Sequence, residues 1–197
     1  MLFRSTAGGE NIAIVETFAA TATSSGTIVI AFNPGSADIP KISGIQITQG
    51  QPLQINGGGS ASGAWAADED YSGGSLGSTG ATINTSKVGN PAPQAVYQTE
   101  RVGSFTYTIP GLTAGVGYTV NLHFAEIYWT AAGQRLFNVA INGATVLTNF
   151  DIFATAGGEN IAIVETFAAT ATSSGTIVIQ FTNGNADLAK ISGIQVA

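Results

Sequence analysis

Hydrophobic and polar residues alternate in short runs along most of the chain. Six of these runs are rich in β-branched and aromatic residues and are bounded by glycine, proline or asparagine: NIAIVETFAATAT, GTIVIAF, KISGIQIT, SFTYTIP, GYTVNLHFAEIYW and FNVAINGATVL. Such runs predict β-strands, and no stretch keeps the apolar spacing of an amphipathic helix. The pattern therefore predicts an all-β protein, a jelly-roll β-sandwich of two packed antiparallel sheets.

Turn residues place the connections between these strands. Asn142-Gly143 lies between FNVAI and ATVL, and this dipeptide is a strong signal for a two-residue hairpin turn. Glycine is concentrated in residues 57–63 and 73–80. We expect both of these stretches to be loops.

The run GYTVNLHFAEIYW places side chains on two faces of one strand. By alternation, one face carries the large apolar side chains, and Glu126 falls among them while His123 falls on the opposite face. A carboxylate in that position needs a partner, for which Arg101 and Arg135 are the candidates. Tyr128 and Trp129 fall where the strand runs out into a loop, which is where a sandwich presents a binding site.

One segment of the sequence occurs twice. Residues 6–30 are identical to residues 155–179, and residues 31–47 align without a gap to residues 180–196. Residues 48–153 have no second copy. We interpret residues 1–48 as a partial repeat, the C-terminal strands of a preceding unit, and residues 49–197 as one complete domain.

The repeat gives two copies of the same strands but one place for them in the fold. Residues 6–47 could insert where residues 155–196 normally sit, in the same chain or in another molecule, and so provide a route for self-association. The alternative is that the first copy is the frayed end of a trimmed tandem array. The sequence leaves both interpretations open.

Composition excludes several functional classes. The chain of 197 residues is 44% hydrophobic but only 9% charged, and it has no cysteine. Soluble proteins usually carry about 25% charged residues, and this low-charge composition is common in secreted and surface-exposed all-β proteins. With a net charge of −6 and no basic patch, binding to nucleic acid is not expected. No apolar run is long enough to cross a bilayer, so we expect no membrane insertion.

The expected location is therefore extracellular or at the cell surface. The first residues do not have the pattern of a signal peptide, so an export signal is expected outside this sequence. The absence of cysteine excludes disulfides, zinc thiolate sites and thiol catalysis.

Four motifs resemble a known family when they are read in order. They are VYQTER at 96–101, HFAEIYW at 123–129, DIF at 151–153 and DLAKISGI at 187–194. Their order and spacing resemble the malectin domain, also grouped as carbohydrate-binding module family 57. The opening LQINGGG and WAADEDYSGG are similar to the start of bacterial members.

The resemblance implies a jelly roll whose loops hold a sugar between aromatic side chains; the animal member binds a glucose-rich disaccharide on N-glycans. It implies that Tyr128, Trp129 and Asp187 contact the sugar, and Trp65 matches a further loop aromatic. Trp65 and Tyr71 flank the acidic run Asp68-Glu69-Asp70, and Tyr71 is a fifth candidate. One family tyrosine has no aromatic counterpart in GSLGSTGAT, which suggests a different glycan from that of the animal member.

Other chemistry is less well supported by the residues. Asp68-Glu69-Asp70 could hold calcium but lacks further ligand spacing, and we expect no metal and no cofactor. Glu126 and Asp187 could be imagined as the carboxylate pair of a glycosidase, yet Glu126 has the better claim as the buried partner of an arginine. The expected function is non-catalytic binding of a neutral oligosaccharide. The alternative is a structural surface or fibre building block that oligomerises by strand exchange.

Overall fold

The computed structural model describes residues 14–16, 18, 20, 27–36, 39–47 and 52–197. The chain divides into two units, Met1–Thr48 and Gln49–Ala197. Within the described residues, the strands and helices lie in the second unit. They are β1 (Leu53–Asn56), β2 (Tyr71–Ser78), α1 (Gln94–Tyr97), β3 (Thr99–Ile109), β4 (Gly117–Ala125), β5 (Leu136–Ile141), β6 (Ala144–Phe150), α2 (Ile152–Ala156), β7 (Ala162–Thr170), β8 (Ile177–Ala186), β9 (Lys190–Ile191) and β10 (Gly193–Val196).

The strands form two antiparallel sheets, as the sequence pattern predicts. The four-stranded sheet has the order β1-β10-β4-β7, and the six-stranded sheet has the order β2-β3-β8-β5-β6 with β9 beside β3. Consecutive strands often lie in different sheets, so long connections cross the ends of the sandwich. The all-β prediction with two antiparallel sheets is confirmed.

The core lies between the sheets and follows the alternation of the strands. Leu122 and Phe124 on β4 are fully buried, as are Ile179 and Phe181 on β8. Phe105 stacks on Phe181 with ring centroids 4.6 Å apart. Inward-facing side chains at every second position thus form one continuous apolar layer.

The predicted hairpin turn at Asn142-Gly143 is confirmed, whereas the predicted loop at residues 73–80 is wrong. Asn142 (φ 49°) and Gly143 (φ 81°) connect β5 to β6, and positive φ at both residues is the requirement of a tight hairpin turn. The predicted loop at residues 73–80 is largely strand β2, an exposed edge paired with β3. Glycine is needed in β2 because its backbone lies very close to side chains of β3: a Cβ at Gly77 would lie 2.5 Å from the Glu100 carboxylate.

Two short helices, α1 and α2, are also absent from the sequence-based prediction. Each has fewer than six residues, which is too short to give a helical apolar period. Asp151 caps α2 by accepting a hydrogen bond from the Ala154 amide, and Gly157 ends it with φ 80°. Local capping rather than an apolar stripe defines this helix.

The first unit gives a direct comparison of identical sequences. Residues 27–30 and 176–179 both read TIVI. In the second unit Ile177 and Ile179 begin β8 and are fully buried, whereas residues 27–30 have no regular secondary structure and Val29 is 80% exposed. Tertiary partners, not the local sequence, decide the conformation of this stretch. Among the described residues, none of the helices is long and apolar enough to cross a membrane.

Candidate functional site

The loop that follows β4 carries two adjacent aromatic residues. Tyr128 is 69% exposed, and its ring meets the Trp129 ring edge-to-face with centroids 4.9 Å apart. The backbone amides of both residues donate to Oε1 of the buried Glu126, at 3.1 and 3.2 Å. One carboxylate therefore fixes the turn that presents the aromatic pair.

Arg135 joins this loop to the segment before β9. Its Nε donates to Glu126 Oε2 at 2.7 Å, and its Nη1 donates to the carbonyl oxygen of Leu188 at 2.6 Å. The same Nη1 lies 3.1 Å from Oδ2 of Asp187. Of the two arginine partners expected for Glu126, the structure selects Arg135. A planar guanidinium can bridge two acceptors in this way because its donors form a rigid fork.

Asp187 completes the cluster. Its Oδ2 accepts a 2.6 Å hydrogen bond from the Trp129 indole Nε1, and its side chain remains 29% exposed. The backbone of Asp187 has φ 52°, a left-handed conformation that aspartate tolerates better than most residues. The structure thus brings together three of the five predicted site residues: Tyr128, Trp129 and Asp187.

Buried charges lie beneath this cluster. Lys190 is fully buried, donates from Nζ to the Ala125 carbonyl oxygen at 2.5 Å and forms an ion pair with Glu100. Burial lowers the pKa of Lys190, against the opposing pull of Glu100 and Glu126. Burial also disfavours ionisation of Glu126, but the charges of Lys190 and Arg135 outweigh it and hold the pKa of Glu126 below its ordinary value. The buried Glu126 carboxylate is therefore balanced by Arg135 and Lys190 rather than left without a partner.

Trp65 occupies a different setting from the one predicted. It is only 5% exposed and packs edge-to-face on His123 with centroids 4.9 Å apart, on the outer face of the four-stranded sheet. It lines a cavity of about 200 Å³ together with His123, Gln54 and Gln195. Nδ1 of His123 is 2.9 Å from the Tyr97 hydroxyl, and burial lowers the pKa of His123 to about 4. In this structure Trp65 contributes mainly to packing.

Tyr71 lies in a third setting, beside the acidic loop. The Arg101 guanidinium lies 3.2 Å from the centre of the Tyr71 ring. Arg101 pairs with Asp68 rather than with Glu126, donating from Nε and Nη2 to Asp68 Oδ2 at 2.9 and 2.6 Å. Asp68 Oδ1 accepts from the Tyr107 hydroxyl at 2.6 Å. Both oxygens of Asp68 are thus engaged by protein donors.

Sequence reasoning missed the residues that organise the site. Arg135 appeared only as a candidate partner of Glu126, and its link to Asp187 was not expected. Lys190 was noted only as part of a motif, and its burial had no signal in the sequence, because lysine is rarely buried unless it is paired and its partner Glu100 lies far along the chain. Asp68 was treated as part of an acidic run, while its partners Arg101 and Tyr107 lie far along the chain.

Two antiparallel sheets with long loops at one end define this protein as a jelly-roll β-sandwich domain. A family model described as Malectin domain matches residues 51–194, and the chain therefore belongs to the malectin-domain family. It is 33% identical over 120 residues to Malectin-B of Xenopus laevis, covering 54% of this chain and 43% of that protein. Human Malectin is 32% identical over 120 residues, covering 54% and 41%. The chain spans less than half the length of these curated relatives.

Solved structures agree on the fold. The ANX2 ectodomain from Arabidopsis thaliana superposes with a TM-score of 0.64 at 21% identity, covering 73% of this chain and 48% of that one. A structure of the plant peptide RALF23 in complex with FER and LLG2 gives a TM-score of 0.64 at 20% identity, covering 73% and 47%. At these identities the likeness concerns the fold alone.

Proposed function

We propose that residues 49–197 form a non-catalytic carbohydrate-binding domain that recognises a neutral oligosaccharide through Tyr128, Trp129 and Asp187. The observation that carries this proposal is the exposed Tyr128 ring packed against the half-buried Trp129, whose indole donates a 2.6 Å hydrogen bond to the partly exposed Asp187 carboxylate. Membership of the malectin-domain family supports it.

The chemistry of a pyranose fits these three side chains. A sugar ring has an apolar face of C–H groups, which the Tyr128 and Trp129 rings can cover. Its hydroxyl rim needs hydrogen-bond acceptors. Within the described residues, both donors that reach Asp187 use Oδ2, which leaves Oδ1 to accept from a sugar hydroxyl.

The same geometry argues against hydrolysis. A glycosidase needs one carboxyl group that is protonated and one that is free to attack or to activate water. Here Arg135 binds both Glu126 and Asp187, and Glu126 also accepts hydrogen bonds from the backbone amides of Tyr128 and Trp129. We therefore infer binding without catalysis. An extracellular or cell-surface location is consistent with the ectodomains that share the fold.

Trp65 and Tyr71 remain predicted contacts of a longer ligand. Tyr71 presents a 45% exposed ring backed by Arg101, so it is available to a second sugar residue. Trp65 would reach a ligand only through the cavity that it shares with His123. Their contribution is proposed to be smaller than that of Trp129.

A glycan array on the intact protein and on Trp129→Ala tests the proposal. Thr145→Ala serves as the control, because Thr145 is exposed on strand β6, outside the loops that carry Tyr128, Trp129 and Asp187. We expect the intact protein and the control to bind the same glycans, and Trp129→Ala to lose them. An absence of binding by all three proteins across a broad panel would count against the proposal, as would unchanged binding by Trp129→Ala.

A second candidate function is structural. The repeated segment favours a surface or fibre building block, since residues 6–47 of one chain could occupy the place of residues 155–196 in the next. The test is light-scattering mass over a wide concentration range for the full chain and for a chain beginning at Gln49. Larger species from the full chain alone would support this function, and monomers from both chains would exclude it.

A further inference from the structure

Two segments of this chain are candidates for one place in the sandwich. Strand β8 lies between β3 and β5, β9 pairs with β3, and β10 lies between β1 and β4. Residues 176–196, which form these three strands, align without a gap to residues 27–47.

The first copy keeps the side chains that the core requires. Among the buried positions of β8 to β10, the first copy has the same residue at each of the following: Ile177, Ile179, Phe181, Lys190, Ile191, Ser192, Gly193 and Ile194. Most differences fall at exposed or half-buried positions. The two buried exceptions are Ala189, replaced by Pro40, and Val196, replaced by Ile47.

One pair of differences is chemically coupled. The Ala189 amide donates to the Asn183 side-chain oxygen at 2.9 Å. In the first copy Pro40 takes the position of Ala189 and Pro34 takes that of Asn183. Proline has no amide hydrogen, so the donor and its acceptor are lost together and neither partner is left unpaired. Such paired loss is what a segment that still folds into this place requires.

The connection to the rest of the domain also fits. Val196 at the end of β10 is the direct antiparallel partner of Leu53 at the start of β1, so their Cα atoms lie about 5 Å apart. Ile47 aligns with Val196, and residues 48–52 separate it from Leu53 in the sequence. Five residues reach about 17 Å, enough for a hairpin loop between antiparallel neighbours.

We propose that residues 27–47 are an alternative occupant of the place of β8, β9 and β10 in their own chain. The domain then has two mutually exclusive arrangements: the one in the structure, and a circularly permuted one in which residues 176–196 are displaced. A short tether gives an effective concentration on the order of millimolar, so insertion within one chain precedes exchange between chains in dilute solution.

The structure also explains which occupant is preferred. The turn between β7 and β8 runs continuously from the shared part of the domain into the second copy, and in it the Thr172 amide donates to the Thr176 carbonyl oxygen at 2.8 Å. The permuted arrangement breaks the chain in this turn. It also loses the hydrogen bond of the Asn183 amide to Ser104, since Pro34 has no donor. The second copy is therefore the major occupant.

Gly193 allows a test in the full chain. A Cβ at this position would lie 2.7 Å from both Trp65 and Val96 in the buried outer layer, whereas a Cβ at the equivalent Gly44 meets nothing within 4 Å. Gly193→Val thus blocks the second copy, Gly44→Val blocks only the alternative occupant, and the double variant blocks both. We compare their melting temperatures by circular dichroism.

We expect Gly44→Val to match the parent protein, and Gly193→Val to keep a cooperative transition at least about 5 °C above that of the double variant. The proposal is overturned if Gly193→Val and the double variant melt alike. Light scattering of Gly193→Val must also give a monomer. A folded dimer or larger species would show that the first copy inserts between chains, and would overturn insertion within one chain.

A disulfide trap identifies the occupant directly. Gln195 is the cross-strand partner of Asn121, so Gln46 faces Asn121 in the permuted arrangement. The chain has no cysteine, and Gln46→Cys with Asn121→Cys introduces the pair cleanly. In the Gly193→Val background we expect an intrachain disulfide at several times the yield found without that substitution. Gln195→Cys with Asn121→Cys is the control, for which we expect the opposite dependence. Equal yields in the two backgrounds would overturn the proposal.

Discussion

The indole Nε1 of Trp129 donates a 2.6 Å hydrogen bond to Oδ2 of Asp187, which lies 58 residues further along the chain. This bond fixes the plane of the indole and turns the carboxylate toward the ring. Aromatic surface and hydrogen-bond acceptor thus act as one preorganised unit, and little side-chain freedom remains to be lost when a ligand binds.

Trp129→Phe tests the contribution of this bond. The variant keeps an aromatic face but cannot donate to Asp187, so the ring and the carboxylate orient independently. We expect affinity for a glycan found on the array to fall roughly threefold to tenfold, which corresponds to about one hydrogen bond. Titration calorimetry measures the loss, with Thr145→Ala as the control. A loss as large as that of Trp129→Ala would mean that the hydrogen bond, not the aromatic face, carries the binding.

Arg135→Ala tests the buried charged residues beneath the site, which are Arg135, Glu126 and Lys190. Removing the guanidinium leaves the carboxylate of Glu126 buried with only Lys190 and two backbone amides to balance it. Breaking a buried ion pair on one side costs about 3–5 kcal/mol, and we expect this loss in the free energy of unfolding in urea at pH 7. Arg135→Lys should recover only part of it, because an ammonium cannot bridge Glu126, Asp187 and the Leu188 carbonyl. A cost below about 1 kcal/mol would contradict the claim that Arg135 compensates the buried Glu126 carboxylate.

The sequence was sufficient for the fold class and the aromatic pair because both depend on local pattern. Strand alternation placed Glu126 on the apolar side, and the end of the strand placed Tyr128 and Trp129 in a loop. Strand β2 was missed because its glycines resemble a loop in isolation. Their purpose, to let the backbone pass over Glu100 and Arg101, is visible only once β3 lies beside them.

The sequence also could not predict which polar side chains pair over long distances along the chain. Asp68 binds Arg101 and Tyr107, and Asp187 binds Trp129 and Arg135. No periodicity in the sequence encodes which acid meets which base, since each pair is formed by loops or strands from different parts of the chain. Trp65 illustrates the same point, because its burial against His123 is visible only in the tertiary structure.

Asp68→Asn is expected to destabilise the domain by about 3 kcal/mol, because an amide cannot accept from Gly58, Arg101 and Tyr107 as the carboxylate does. Glu69→Gln is the matched control, an exposed neighbour whose replacement should change the free energy of unfolding by less than about 0.5 kcal/mol. Urea denaturation measures both. Since Asp68 is fully engaged, millimolar calcium should leave the melting temperature unchanged. A rise in that temperature would reopen the calcium interpretation of the acidic loop.

The single histidine gives a pH dependence of known sign. Burial lowers the pKa of His123 to about 4, against about 6.5 in the unfolded chain. Between these values the unfolded state binds more protons, so the stabilising contribution is present above pH 6.5 and is lost as the pH falls toward 4. For this residue alone we expect a loss of about 2 kcal/mol in the free energy of unfolding between pH 7 and pH 5. His123→Phe should remove that part of the difference, while carboxylates that titrate in the same range are common to both proteins and cancel. If the variant shows the same pH dependence as the parent, His123 is not buried in its neutral form.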